Sequence, residues 1–502
     1  MPKQPTLLIL LDKNKDASLQ TQLASNLKKL VQTGVRRPGK AVPSSRELAR
    51  DLRISRNTVI QAYDRLIGEG YLEASARRGL FVSEFLTERN LRRTGPITAP
   101  ATLPRSVMQR SSEQASAPVP FRPCQPDVRL FPLPLWNRLR ARALRIHSTS
   151  LLNYQSQLTL GFPALRRSLA TYLRESRGVQ CDWRQIAITT GSQQALYLLA
   201  HLLLKSGSRV AMEDPGYLGA RFAWQQAGAL LSPVPIDSDG MRLPQDKRFS
   251  ADLVYTTPSR QFPTGACLSL PRRLALVEFA ARAKAWVVED DYDSEFRYSR
   301  PPLPSLQSLD SSGRVIYVGS MSKVLFPSLR MGYVVLPASL VEKFAALRTV
   351  LDDHGPLIDQ ATLAEFIEVG AFHAHIRRCR THYGERLNTF IESASKLGLP
   401  LSFPHTDGGM NLAGYFDLAG TTAPDCPAKQ RSARIIPRDR TRGTAYDKEY
   451  SKRLRQNGLD VPPLSHYSLR PSRPGLVFGF TAFEPQTIRD SVKRVALALR
   501  RG

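Results

Sequence analysis

The chain has 502 residues, too many for one hydrophobic core of ordinary size, so at least two domains are expected. Its composition, 42% hydrophobic and 23% charged, is that of a water-exposed globular protein and excludes fibrous or wholly disordered classes. The net charge of +28 favours a polyanionic partner. Residues 1–90 hold 16 Lys/Arg against 9 Asp/Glu, or +7, so the remaining +21 lies in the rest of the chain. A generally basic surface therefore accompanies any local basic site. The five cysteines (Cys124, Cys181, Cys267, Cys379 and Cys426) are scattered and show no CxxC spacing. That pattern argues against a disulfide framework or a metal site and fits a reducing cytoplasm. The early apolar run Leu7–Leu11 is too short for a signal-peptide core or a membrane span, so no membrane association is expected.

In chain order, Leu19, Leu23, Leu27, Leu30 and Val31 recur at helical spacing, and Gly34 and Pro38-Gly39 end that helix. Ser44 followed by Glu47 forms a capping-box pattern at the head of a short helix to Leu52. After a break at Arg53-Ile54, Ser55 is the expected N-cap of a third helix whose buried stripe is Val59, Ala62, Tyr63 and Leu66. Gly68 and Gly70 stop it. Tyr71–Glu73 and Leu80–Val82 then read as a small hairpin around Arg77-Arg78-Gly79.

Two short helices joined by a tight turn can set the second in the major groove of DNA. The exposed start of that helix carries Arg56, Asn57 and Thr58, with Gln61 one turn on. Arg suits guanine edges, Asn suits adenine, and Thr suits phosphate or methyl contacts. Arg46, with Arg77 and Arg78 of the hairpin, is placed for phosphate.

Residues 87–120 are rich in Pro, Ser, Ala, Thr and Arg without a sustained period and read as a flexible linker. This divides the chain into a DNA-reading domain at 1–86, the linker at 87–120 and a large domain at 121–502. In the large domain helical segments alternate with apolar strands at Ile186–Thr189, Arg209–Met212, Leu253–Thr256, Trp286–Glu289, Val315–Val318 and Tyr333–Leu336. Such alternation predicts an α/β domain with a largely parallel sheet. Residues 427–455 hold 10 Lys/Arg against 3 Asp/Glu and read as a solvated, partly disordered loop.

Several polar groups fall at the expected strand ends. Lys323 follows a strand, between Ser320, Ser322 and Arg330. The strand from Trp286 runs into Asp290-Asp291-Tyr292, and Thr190-Gly191-Ser192-Gln193-Gln194 opens a helix after another strand. An amine, a carboxylate with a phenol, and phosphate donors at the ligand-binding edge of a sheet suit a cofactor carrying an aldehyde and a phosphate. The bland reading of each group alone is a surface lysine, a solvated strand end or a helix cap.

Two resemblances join these observations. Pro43-Ser44-Ser45-Arg46, Ser55 to Val59, and Tyr63, Leu66, Glu69-Gly70-Tyr71-Leu72 resemble the winged helix-turn-helix of the GntR family of bacterial regulators. The hairpin departs from that family, reading Arg77-Arg78-Gly79-Leu80 where Gly-x-Gly-Thr is common. Residues 121–502 resemble fold-type I, aminotransferase class I/II proteins through Thr190 to Ala195, Glu213 to Tyr217, Pro258 to Gly265, Glu289 to Tyr292, and Ser320-x-Ser322-Lys323 with Arg330. That resemblance implies a smaller C-terminal α+β subdomain and bound pyridoxal 5′-phosphate. It makes Lys323 the Schiff-base lysine and pairs Asp290 with the ring nitrogen. Tyr292 then bonds the ring hydroxyl, Tyr217 stacks on the ring, and Ser192, Gln193, Ser320, Ser322 and Arg330 hold the phosphate.

The whole order is similar to the MocR-type regulators. It implies a cytoplasmic homodimer that binds promoter DNA and senses pyridoxal phosphate or a small amino-compound effector. Three positions depart from the pattern: Cys124 stands where Gly is common, Arg260 where His is common, and Val477 where many such enzymes carry a carboxylate-binding Arg. A guanidinium fork cannot be replaced by Val, so physiological turnover is not expected. The alternatives are a working aminotransferase with an appended DNA-binding domain, and a DNA-binding protein that uses the large domain only as a dimerisation scaffold.

Overall fold

The computed structural model describes residues 9, 11, 12, 17–75, 79–84, 119–153, 156–244, 246, 248–298, 303–416 and 443–500. The chain divides into two compact units, one within residues 1–113 and the other within 114–502.

The first unit packs helices α1 (Leu19–Gln32), α2 (Ser45–Leu52) and α3 (Arg56–Gly68) with the hairpin β1 (Leu72–Ser75) and β2 (Gly79–Val82). Its core joins Leu23, Leu27 and Val31 of α1 to Val59, Ala62, Tyr63 and Leu66 of α3, as the helical spacing predicts. Both expected caps form: Ser44 Oγ accepts from the Glu47 N–H and Ser55 Oγ from the Thr58 N–H, each worth about 1 kcal/mol. Arg53 turns the chain between α2 and α3 in the left-handed conformation, φ 53°. The Tyr63 hydroxyl donates to the Pro43 carbonyl at 2.8 Å and fixes the entry to α2. Strands β1 and β2 pair antiparallel from Leu72↔Val82 to Ser75↔Gly79. The hairpin tip carrying Arg77 and Arg78 lies outside the described residues, as does most of the segment 87–120.

The second unit opens with α4 (Leu133–His147) and α5 (Pro163–Arg177). An eight-stranded sheet follows, interleaved with helices. Its elements are β3 (Ile186–Thr189), α6 (Ser192–Leu203), β4 (Arg209–Asp214), α7 (Leu218–Gln226), β5 (Leu230–Asp237), β6 (Gly240–Met241), β7 (Leu253–Thr256), α8 (Leu270–Ala283), β8 (Trp286–Asp291), β9 (Val315–Ser320), α9 (Met321–Val324) and β10 (Gly332–Val335). The strand order is β3-β10-β9-β8-β7-β4-β5-β6. Strands β9, β8, β7, β4 and β5 are parallel, while β10 runs against both of its neighbours.

Successive residues of these strands enter opposite cores. Ile186, Ile188, Tyr317, Tyr333 and Val335 face one core with α5 and α11 (Leu357–Glu368). Ala187, Ile316, Val318 and Val334 face the other with α6, α7 and α10 (Ala338–Leu351). Burial on both faces explains why the strands read as unbroken apolar runs.

The C-terminal lobe is the α+β subdomain. It sets β11 (Leu401–Ser402), β12 (Asn411–Phe416) and β13 (Gly475–Gly479) in an antiparallel sheet against α12 (Ala371–Lys396), α13 (Gly443–Gln456) and α14 (Pro485–Arg500). Helix α13 corrects the loop expected at 427–455. Tyr450 and Leu454 are buried one turn apart, a stripe that the surrounding charges obscure. Residues 427–442 lie outside the described residues.

Candidate cofactor site and nucleic-acid interface

Topology brings the candidate cofactor residues to one edge of the sheet. Ser192, Tyr217, Asp290-Tyr292 and Lys323 follow or end β3, β4, β8 and β9, which share one direction. Strand β10 runs the other way, so its beginning lies at the same edge and delivers Arg330 there. Arg330, at φ 48°, donates from Nη2 to the Thr190 carbonyl at 3.2 Å, next to the start of α6. A Cβ on Gly191 would lie 3.5 Å from that same Nη2, so the guanidinium closes over the Gly191-Ser192 turn.

Lys323 Nζ donates to the Cys124 carbonyl at 3.1 Å. Asp290 is 4% exposed; its Oδ2 accepts from the Tyr255 hydroxyl at 2.7 Å, while its Oδ1 is buried without a partner. Burial pushes this carboxyl up to about 7, opposed by the Tyr255 hydrogen bond and the Lys323 charge. Ser322 Oγ is likewise buried and unpartnered. Ser320 ends β9 and is buried. Tyr217 and Tyr292 flank Phe262, their ring centroids 5.8 and 5.7 Å from it. The Gln193 side chain is engaged elsewhere. Its Nε2 donates to the Gly219 carbonyl at 2.9 Å, and its Oε1 accepts from the Tyr217 hydroxyl at 3.5 Å. It therefore positions Tyr217, and only its backbone N–H at the head of α6 faces the role of phosphate donor.

A pyridinium N–H would supply the partner that Asp290 Oδ1 lacks, and a phosphate would supply one for Ser322. The donor set therefore fits pyridoxal phosphate. Three contributors escaped the motif reading: Tyr255, Asn411 and the Cys124 backbone. Asn411 Oδ1 accepts from the Cys124 N–H at 2.6 Å, and its Nδ2 approaches Cys124 Sγ at 3.2 Å. The apolar run that holds Tyr255 and the departure at Cys124 were visible in the sequence, whereas Asn411 carried no signal.

The raised Asp290 value has a pH consequence. A carboxyl favoured neutral in the folded protein contributes stability below its unfolded value, near 4, that is lost as pH rises through about 7. Without cofactor, the wild type is expected to lose stability relative to Asp290→Asn between those limits. Denaturant unfolding of both proteins at about pH 5 and about pH 8 measures this, and an identical pH dependence would mean that Asp290 ionises normally.

In the first unit, Arg46, Arg50, Arg53 and Arg56 are all exposed along α2, the turn and the start of α3. Among the described residues none of the four has a carboxylate partner. Arg56 Nε donates to Ser45 Oγ at 3.3 Å, Asn57 is exposed, and the Thr58 hydroxyl pairs with Ser55 Oγ at 2.8 Å within the cap. The motif reading passed over Arg50 and Arg53, although Arg50 sits one turn beyond Arg46 on the same helix.

A DNA-reading helix pair and an aminotransferase-type body therefore share one chain. Residues 19–82 match the gntR family of bacterial regulatory proteins, and residues 137–472 match aminotransferase class I and II. The probable rhizopine catabolism regulatory protein MocR of Rhizobium meliloti is 34% identical over 98% of this chain and 96% of its own. The HTH-type transcriptional regulator TauR of Rhodobacter capsulatus is 32% identical over 96% and 97%. The multiple substrate aminotransferase of Thermococcus profundus, a solved structure, superposes with a TM-score of 0.67 at 25% identity, over 79% of this chain and 96% of its own. The chain belongs to the MocR-type transcriptional regulators, in which a gntR-family reader is fused to an aminotransferase class I/II domain. Among the described residues no helix is long and apolar enough to cross a membrane.

Proposed function

We propose that this regulator carries pyridoxal 5′-phosphate on Lys323 and changes its grip on promoter DNA when the cofactor, or an amino compound reacting with it, is present. The observation that carries this reading is the pair of buried, unpartnered polar atoms beside Lys323: Asp290 Oδ1, which can accept from a ring N–H, and the Ser322 hydroxyl, which can donate to a phosphate. Asp290 would hold the ring nitrogen, Tyr292 the ring hydroxyl and Tyr217 one ring face. Ser192, Ser320, Ser322, Arg330 and the Gln193 N–H would hold the phosphate. When bound, the cofactor supplies an aldehyde carbon open to amines and a ring that withdraws electrons.

On the DNA side, Arg56 and Asn57 read base edges, Thr58 supports the start of the helix, and Arg46, Arg50 and Arg53, with Arg77 and Arg78, meet phosphates. The protein acts as a homodimer in the cytoplasm. Val477, fully buried in β13, leaves no guanidinium at the usual carboxylate position, so the site serves sensing rather than turnover.

The test is to titrate the purified chain with vitamers and amines while following cofactor absorbance and binding to its own upstream DNA in the same samples. DNA affinity should shift about 5–150-fold. Affinity indifferent to every ligand would overturn the sensing role, and sustained turnover with an amino donor and a keto acid would favour the aminotransferase reading.

A further inference from the structure

The surroundings of Lys323 bear on what kind of amine can enter. Phe262 stands among three tyrosines, its ring centroid 5.8 Å from Tyr217, 5.7 Å from Tyr292 and 5.2 Å from Tyr467. Leu464 and Val477 complete that buried cluster, with Cys124, Leu218 and Tyr415 packed against it. The wall beside the cofactor residues is therefore apolar and aromatic, and Cys124 adds a side chain in the residue whose carbonyl holds the reactive amine.

An α-amino acid brings a carboxylate, which is costly to bury unless a paired donor receives it. Three guanidiniums reach residues of this neighbourhood, and each is tied to the protein through at least one nitrogen. Arg260 donates from Nη2 to the Asn411 carbonyl at 2.9 Å and lies 3.4 Å from Asp407 and 3.9 Å from Asp293. Glycines cradle it: a Cβ on Gly265 or Gly409 would collide with its guanidinium, so it has little room to swing. Arg473 lies over the Tyr415 ring at 5.0 Å and donates to Ser402 Oγ and the Phe416 carbonyl. Arg221 Nη2 donates to the Tyr467 carbonyl at 2.6 Å, which ties the side chain to the backbone of this cluster, while its Nε is buried without a partner. Arg330 serves the Gly191-Ser192 turn, where the phosphate belongs.

Resting on the reading under Proposed function, we infer that the ligand recognised at Lys323 is a primary amine with an apolar or aromatic body and no carboxylate. Its amine meets the cofactor, its body packs on Phe262, Tyr467 and Val477, and no charged tail needs a partner. An amino acid of the same body would leave a carboxylate against Val477.

Matched pairs test this in the full chain loaded with pyridoxal phosphate: 2-phenylethylamine against L-phenylalanine, and 3-methylbutylamine against L-leucine. Members of each pair differ only in the carboxylate. Calorimetric affinity, with cofactor absorbance as a second readout, should favour the amine by about tenfold or more in at least one pair. Equal or tighter binding of the amino acids would overturn the inference, as would failure of all four to bind a protein that visibly holds cofactor. A protein that takes up no cofactor would overturn the underlying reading instead. Val477→Arg should narrow the preference for the amine; because it places a charge at a fully buried position, the wild-type pairs decide the matter if that variant does not fold.

Discussion

Purified Lys323→Ala is expected to lose the visible absorbance of bound cofactor altogether, and its DNA binding should stop responding to pyridoxal phosphate. Lys323 is the lysine that α9 presents at the sheet edge where Asp290, Ser322 and Arg330 gather. Covalent attachment needs an amine at that place, and no small shift of another residue can supply one. The substitution removes one hydrogen bond, to the Cys124 carbonyl, and leaves the buried strands of the sheet untouched, so the protein should remain folded. Near-native circular dichroism with no cofactor band is the expected pair of readings. A retained band would place the attachment elsewhere, and a wild type without any band would favour the scaffold reading.

The second large effect belongs to Arg56→Ala. Specific binding to the regulator's own promoter should weaken by about 1–3 kcal/mol, or roughly 5–150-fold, with a smaller change on random DNA. Arg56 is exposed at the first position of α3 and has no carboxylate partner among the described residues. Its hydrogen bond to Ser45 aims the guanidinium without neutralising it. Arg50→Ala, by contrast, should lower affinity for both DNAs alike and flatten the salt dependence, because a phosphate contact carries no sequence information. Equal discrimination between promoter and random DNA after Arg56→Ala would displace α3 as the reading helix.

Much of this architecture could be read from residue patterns, and the exceptions have physical causes. The helix pair was legible because its two caps and its buried stripe agree over a short span: Ser44, Ser55, Val59 and Tyr63 each point to the same structure. Strands β3, β7, β8 and β9 stand out as apolar runs bounded by breakers. Strand β5 does not, because Pro233 and Pro235 lie within it. It tolerates them near the border of the sheet, beside the two-residue β6, where donors two residues apart on one side can go unused.

The reversed direction of β10 was not legible either, since an apolar strand looks the same whichever way it runs. That reversal nevertheless brings Arg330 to the site. The candidate cofactor residues were recognisable as motifs, yet their hydrogen-bond partners come from far along the chain. Tyr255 reaches Asp290 from β7, and Asn411 reaches Cys124 across 287 residues. Gln193 shows the converse: the motif names it, but the fold gives its side chain to Tyr217.

The hydrogen bond from Lys323 to the Cys124 carbonyl ties the amine to the opening stretch of its own unit. Cys124 lies just after Val119, where the described chain of this unit begins on the side leading back to the helix pair. That opening stretch is held by the buried Phe121 ring and its bridge to Gly479, the Asp460 N–H on the Pro120 carbonyl at 2.9 Å, the Arg122–Asp460 ion pair at 2.6 Å, the Asn411 bonds to Cys124, the Thr481 hydroxyl on the Gln125 carbonyl, and Lys323 itself. A bond formed at the lysine nitrogen would remove that one hydrogen bond from the opening stretch of this unit. The amine and the opening stretch of this unit thus meet at a single carbonyl oxygen.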